Sequence, residues 1–415
     1  MTRKQSIQAW FIWTVSAVFF FYKYVLEVSP SVMTQDLMRA FHIGGSDLGH
    51  LASSYFYAYT LMQAPVGLLL DRYGPRRITT LAIILCGTGA CFFASSDHLW
   101  TALLSRFMIG LGASFSAVNI FKLSANWFPS DKFAFMVGLS MTLGMLGAVG
   151  GEEPLAAFIH FFTWRPALYY LGIFGILLSG AFFLIVRDSP KKIQKVEEKS
   201  DFWTSLKEIA NNPQNWMISV YSGLLFAPIA IFGGLWGVPF LQEAHGLSKE
   251  ISARIASLIF IGFAIGAPFF GWLSDRIGKR KPLMLYGTIA SFIIVSLIVY
   301  YPHLPLSLNY LSTFLLGISL STFLISFTVI REYNSPLVTG TAIGIMNTFN
   351  ALFVAIANPL IGKLLDLGWD GRLKEGAHAF SVENYQLALI TLPLYCLVGW
   401  ILLYFIKETN CKPVN

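Results

Sequence analysis

The sequence predicts an all-α membrane protein with twelve transmembrane helices in two pseudo-symmetric six-helix bundles. Three observations predict it: apolar stretches recur along the whole chain, a charged motif appears twice about half a chain length apart, and one long polar segment divides the stretches six and six. Hydrophobic residues make up 55% of the 415 residues and charged ones 12%, with a mean hydropathy of +0.62. An ordinary soluble domain carries roughly 25% charge.

Each apolar stretch runs for about 18 to 25 residues, enough as a helix to cross roughly 30 Å of hydrocarbon. Backbone groups in lipid must be satisfied internally, so helices follow, and continuous rather than alternating hydrophobicity excludes a β-barrel. The expected spans are 9–30, 48–70, 78–96, 99–121, 133–156, 166–186, 215–240, 252–273, 282–301, 307–330, 337–361 and 385–406. The opening "MTRKQSIQAWFIW" places basic residues before an apolar run too long for a signal h-region and without a small-residue cleavage site, so it reads as a retained first helix.

Lysine and arginine set the orientation. With the N-terminus inside, the inner segments hold about twenty basic residues and the outer ones about seven. Both termini are therefore expected in the cytoplasm, in what reads as a bacterial inner membrane. The net charge of +7 follows from this asymmetry and calls for no nucleic-acid partner. Cys86, Cys91, Cys396 and Cys411 lack C-x-x-C spacing and read as buried small hydrophobes. No Walker A loop, H-E-x-x-H or G-x-S-x-G appears, so neither an enzyme nor a cofactor or metal site is expected.

The polar segment 187–214 separates a first bundle, 1–186, from a second, 215–415. Within it, Phe202 to Ala210 can form a short amphipathic helix with Phe202, Trp203, Leu206 and Ile209 on one side, lying at the membrane interface. Each bundle carries G-x-x-x-D-R-x-G between its second and third helices: "GLLLDRYGPRR" from Gly67 and "GWLSDRIGKRK" from Gly271. The halves are thus parallel repeats. Twelve helices with this motif pair resemble the major facilitator superfamily over the whole chain.

The resemblance implies a cytoplasmic gate. Gly67 and Gly271 remove side chains where another helix approaches; Asp71 and Asp275 accept hydrogen bonds from nearby arginines and from a helix amino end. Gly74 and Gly278 belong to the same turns, and Arg72, Arg76, Arg77, Arg276 and Arg280 anchor them to the inner surface. "SRFMIGLG" resembles the family's fourth-helix motif through Arg106 and Gly110. Gly144, Gly147, Gly150 and Gly151 of the fifth helix are reminiscent of the family's antiporter motif, but Glu152 and Glu153 replace its G-P pair, and close helix packing is the simpler reading.

Ionisable residues inside a membrane are costly, which makes each a functional candidate. Lys23 and Glu27 lie one turn apart on helix one, Arg106 lies on helix four, and Glu152 ends helix five. At about 1.5 Å per residue all four fall in one layer. Two cations flanked by acids suit an anionic or zwitterionic solute moved with protons, its carboxylate held by Lys23 or by two parallel bonds from Arg106. The same residues also suit a permanent structural network in which Arg106 pairs with Glu27 or Glu152. Tyr22 and Tyr24 flank Lys23, and one of them shares its face. Asn119 lies deeper on helix four, beside Lys122. The second half offers polar rather than charged candidates: Tyr221 and Trp236 on helix seven, and Asn347 with Asn350, three apart on helix eleven.

The expected function is therefore secondary active transport by alternating access, with proton-coupled uptake of a small carboxylate-bearing or zwitterionic solute by a monomer. The stretches "FFFYKYVLEVSPSVM" and "YAYTLMQAPVGLLLDRYGPRR" look like bacterial nutrient permeases linked to amino acids. Proton-driven export of a metabolite, siderophore or drug is the alternative within transport, and a non-transporting membrane sensor the alternative outside it.

Overall fold

The computed structural model describes residues 3–129, 132–188, 202–301, 303–335 and 338–413. Twelve long helices account for almost all of them. They are α1 (Arg3–Val28), α2 (Gly45–Tyr73), α3 (Pro75–Ala94), α4 (Leu99–Trp127), α5 (Phe135–Phe162), α6 (Trp164–Ile185), α7 (Pro213–His245), α8 (Lys249–Ile277), α9 (Lys281–Tyr300), α10 (Leu306–Tyr333), α11 (Thr339–Leu367) and α12 (Val382–Phe405). Eleven are both long and apolar enough to cross a membrane. The exception, α2, has 29 residues but carries serines, tyrosines and Gln63 through its middle. Large apolar side chains such as Leu81, Leu104, Leu177, Leu184, Ile293, Ile356 and Phe405 are exposed around both halves of the chain. An exposed apolar surface of this extent is one that lipid covers.

Several helices are interrupted along their length. α4 breaks at Ser114, and α5 breaks at Gly151 and Glu152 before restarting at Glu153. At Pro228, α7 passes into a π-helix over Ile229–Trp236. α10 tightens to a 3-10 turn at Ser321–Leu324. Between α11 and α12 lies a two-strand hairpin, β1 (Leu373–Lys374) paired antiparallel with β2 (Ala377–His378).

By contact the chain forms two compact units: residues 1–29 with 54–195, and 30–53 with 196–415. The segment 30–53, which the sequence assigns to the first bundle, thus clusters with the second. In the first unit, glycines bring helices together. A Cβ on Gly147 of α5 would lie 2.3 Å from the Phe21 carbonyl oxygen of α1, and one on Gly110 of α4 would lie 2.2 Å from that of Tyr55 of α2. Such backbone-to-backbone approach is what small residues permit between apolar helices. In the second unit, Gly317 of α10 packs on Ile259 of α8, and Gly223 of α7 on Phe349 of α11.

Of the polar segment 187–214, residues 189–201 lie outside the described residues. The short helix expected there is present as Phe202–Asn211, with Ile209 buried.

Candidate functional site

The first unit holds a buried ionic cluster on α1, α2 and α4. Glu27 Oε2 is its hub: Lys23 Nζ lies 2.5 Å away, one turn back on α1, and the Tyr55 hydroxyl of α2 donates to it at 2.8 Å. Lys23 is 4% exposed and Glu27 9%. The ammonium also sits 3.4 Å from the centre of the Tyr24 ring and 5.5 Å from that of Tyr59, both oriented for cation–π attraction. Tyr55 and Tyr59, one turn apart on α2, stack on each other. A buried ion pair is costly to assemble unless further interactions satisfy it; here Tyr55 adds a hydrogen bond to the carboxylate, and the Tyr24 and Tyr59 rings face the ammonium.

Arg106 belongs to the same region, where its terminal nitrogens bond main-chain carbonyls of α1. Its Nη1 donates to the Leu26 carbonyl at 2.7 Å and its Nη2 to the Glu27 carbonyl at 3.3 Å. In a continuing α-helix the Leu26 carbonyl would accept from residue 30, and Pro30 has no N–H. The guanidinium therefore caps the end of α1. That use engages its two terminal nitrogens, which the sequence reading had offered to a solute carboxylate or to the acids. Glu152 is fully buried at the break in α5, and the neighbouring Gly151 packs on Val25 and Val28 of α1.

Four other sequence candidates are engaged elsewhere in their own units. Tyr22 points away from Lys23, donating to the Leu171 carbonyl of α6; Tyr24 is the neighbour that shares the lysine's face. Asn119 accepts from the Thr79 hydroxyl of α3 at 2.9 Å, tying two helices of the first unit. Tyr221 shares a hydrogen bond with Thr288 of α9. Asn350 accepts from Ser222 of α7 at 2.8 Å and turns its amide toward Asn347. Trp236 differs: it is buried at the end of the π-helix, and its indole N–H has no hydrogen-bond partner among the described residues.

The repeated motifs build two different networks. Gly74 and Gly278 both adopt left-handed backbone, with φ of 82° and 70°, which explains glycine at the corner of each turn. In the first copy Asp71 accepts from Lys122 of α4 at 2.7 Å. Arg76 donates its backbone N–H to Asp188 and its Nε to the Phe183 carbonyl. Arg72 lies over the Tyr73 ring, and Arg77 is exposed. In the second copy Arg280 binds Asp275 at 2.6 Å and Glu332 of α10 at 2.8 Å, while Arg276 lies over Trp272. A Cβ on Gly67 or Gly271 would meet no described atom within 4 Å, so the crowding expected at these glycines is not what they experience here.

Glu408, just beyond α12, completes the second network by accepting backbone N–H groups of Arg280, Lys281, Thr409 and Asn410. Partial burial pushes its carboxyl upward, but these bonds outweigh it and hold the group below its ordinary value of 4.5. A lowered folded pKa contributes stability above the unfolded value and loses it as pH falls through the folded one. Glu408→Gln should therefore lower Tm at pH 7, and the gap to the parent protein should narrow below about pH 4.5, as thermal unfolding at stepped pH would show.

Twelve membrane-length helices, lipid-facing apolar surfaces and a paired ionic cluster buried among them define a multi-pass membrane transporter rather than an enzyme. The Major Facilitator Superfamily model matches residues 12–357 and 231–413, and the chain belongs to that family. It is 22% identical over 374 residues to a probable sulfoacetate transporter, SauU, of Cupriavidus necator, covering 85% of this chain and 86% of that one. It is 23% identical over 377 residues to the lysosomal dipeptide transporter MFSD1 of Danio rerio, covering 84% and 78%. In structure it resembles a bacterial homologue of the lysosomal transporter Spinster, solved inward-facing and unoccupied, with a TM-score of 0.82, 16% identity and 98% of each chain covered.

Proposed function

We propose that this transporter takes up a small carboxylate-bearing or zwitterionic solute together with protons, and that Lys23, Glu27, Tyr24, Tyr55 and Tyr59 form the solute and coupling site. The observation that carries the reading is the buried Lys23–Glu27 pair with Tyr55 on the same carboxylate oxygen. Protonating Glu27 removes the counter-charge of a buried ammonium. The ammonium then requires another anion, which a solute carboxylate provides. Proton and solute thereby enter as a pair, and loss of the proton restores the internal ion pair and expels the solute. Tyr55 donates to Glu27 while it is charged, and Arg106 keeps the end of α1 in place.

The sulfoacetate and dipeptide named for the two relatives each carry a carboxylate, which agrees with this solute class. Gly144, Gly147 and Gly151 pack α5 against α1, which suits the close-packing reading of these glycines, and uptake is the reading favoured here over export. The excess of lysine and arginine in the motif-bearing loops supports a cytoplasmic position for both termini, and in this proposal the protein acts as a monomer in an inner membrane.

A thermal-shift screen of the purified protein against dipeptides, amino acids, sulfonated and dicarboxylic acids, siderophores and cationic drugs tests the solute class. A ligand that binds the native state raises Tm by mass action. Stabilisation by a carboxylate compound, lost in Lys23→Gln, is the expected result. Selective stabilisation by siderophores or hydrophobic cations would overturn the assignment.

A further inference from the structure

We infer that Asp366 is a releasable catch on the first turn of α2, closing a seam between α2 and α11 that opens during transport. Within the second unit, Gly45, Gly49 and Ser53 lie four residues apart on one face of α2, and Asn358, Gly362 and Asp366 lie four apart on α11. The two stripes meet in antiparallel order. A Cβ on Gly45 would lie 2.8 Å from the Gly362 carbonyl oxygen, and one on Gly49 would lie 2.4 Å from that of Asn358. At the end of the seam the Asp366 carboxylate accepts the N–H groups of Gly45 and Ser46, each at 2.7 Å. The first N–H groups of a helix have no partner within it, and a carboxylate across them is held by charge-assisted bonds and by the helix dipole.

Two features suit a seam that opens. Ser53 Oγ and Asn358 Oδ1 are fully buried along it, yet neither has a hydrogen-bond partner among the described residues. Buried polar groups are satisfied in nearly all settled cores, so their presence fits a surface that alternates between contact and water. The Asp366 carboxylate can also let go without breaking any hydrogen bond inside α2, because the first N–H groups of a helix have no partner within it. Because α2 continues as one helix to Tyr55 and Tyr59, release of its first turn frees the element that carries the tyrosines of the coupling site.

The inference rests on the chain being a transporter but not on its solute, and its test needs none. A cysteine at Ser53 is placed in the protein reconstituted in nanodiscs, with the native cysteines replaced, and labelled with a charged maleimide. A control cysteine at Ser291, buried between α9 and α10, reports on general loosening. Asp366→Asn should raise the labelling rate at residue 53 at least about fivefold with residue 291 unreactive, and Asp366→Glu should return it toward the parent rate. An unchanged rate at residue 53, or a parallel rise at residue 291, would overturn the catch and leave Asp366 as a simple helix cap.

Discussion

Lys23→Gln is expected to abolish solute accumulation and to lower thermal stability. The ammonium it removes is the counter-ion of Glu27, 2.5 Å away and 9% exposed. Removing one partner from a buried ion pair costs about 3–5 kcal/mol, because the other charge stays desolvated. The double variant Lys23→Gln/Glu27→Gln restores neutrality and should recover most of the lost Tm. It should still fail to accumulate solute, since neither the anion-binding charge nor the proton acceptor remains. Unfolding temperatures of the single and double variants, read beside uptake into proteoliposomes, separate the two effects. Accumulation by the double variant would remove this pair from the mechanism.

Gly110→Ala is expected to have the largest effect of any single added methyl in the first unit. Its Cβ would lie 2.2 Å from the Tyr55 carbonyl oxygen, a backbone atom that cannot rotate aside. Either α2 or α4 must move, at a cost of about 1–3 kcal/mol. The shift would draw the Tyr55 hydroxyl from Glu27 and impair uptake as well as stability. Gly138→Ala is the matched control: its Cβ meets no described atom within 4 Å, and its Tm should stay near that of the parent. Equal effects of the two substitutions would show that the α2–α4 contact does not set the site.

Helix number, the two motif turns and the Lys23–Glu27 pair are legible in the sequence because they depend on hydropathy, left-handed glycines and i, i+4 spacing. Other features depend on which face of a helix meets which neighbour. The direction of Tyr22 toward α6 rather than toward Lys23 is of that kind, and so is the use of Arg106 as a cap. For Arg106 a signal was present in "EVSP": a proline three residues after Glu27 leaves a carbonyl of α1 without its donor. Tyr55 and Tyr59 were missed, although their spacing in "YFYAY" marks one helical face. A tyrosine-rich helix gives no indication of which ring will meet a charge until packing fixes its rotation. The clustering of residues 30–53 with the second unit was equally hidden, because it arises from Gly45 and Gly49 packing on α11.

The most direct test of the account is a comparison of gradient-driven uptake with solute exchange in proteoliposomes containing Glu27→Gln. A glutamine keeps the shape of a protonated carboxyl but cannot cycle its charge. The account predicts that an imposed pH gradient no longer drives accumulation, while exchange of labelled for unlabelled solute continues with little dependence on pH. Accumulation at the parent level in Glu27→Gln would contradict it and place proton coupling at another residue.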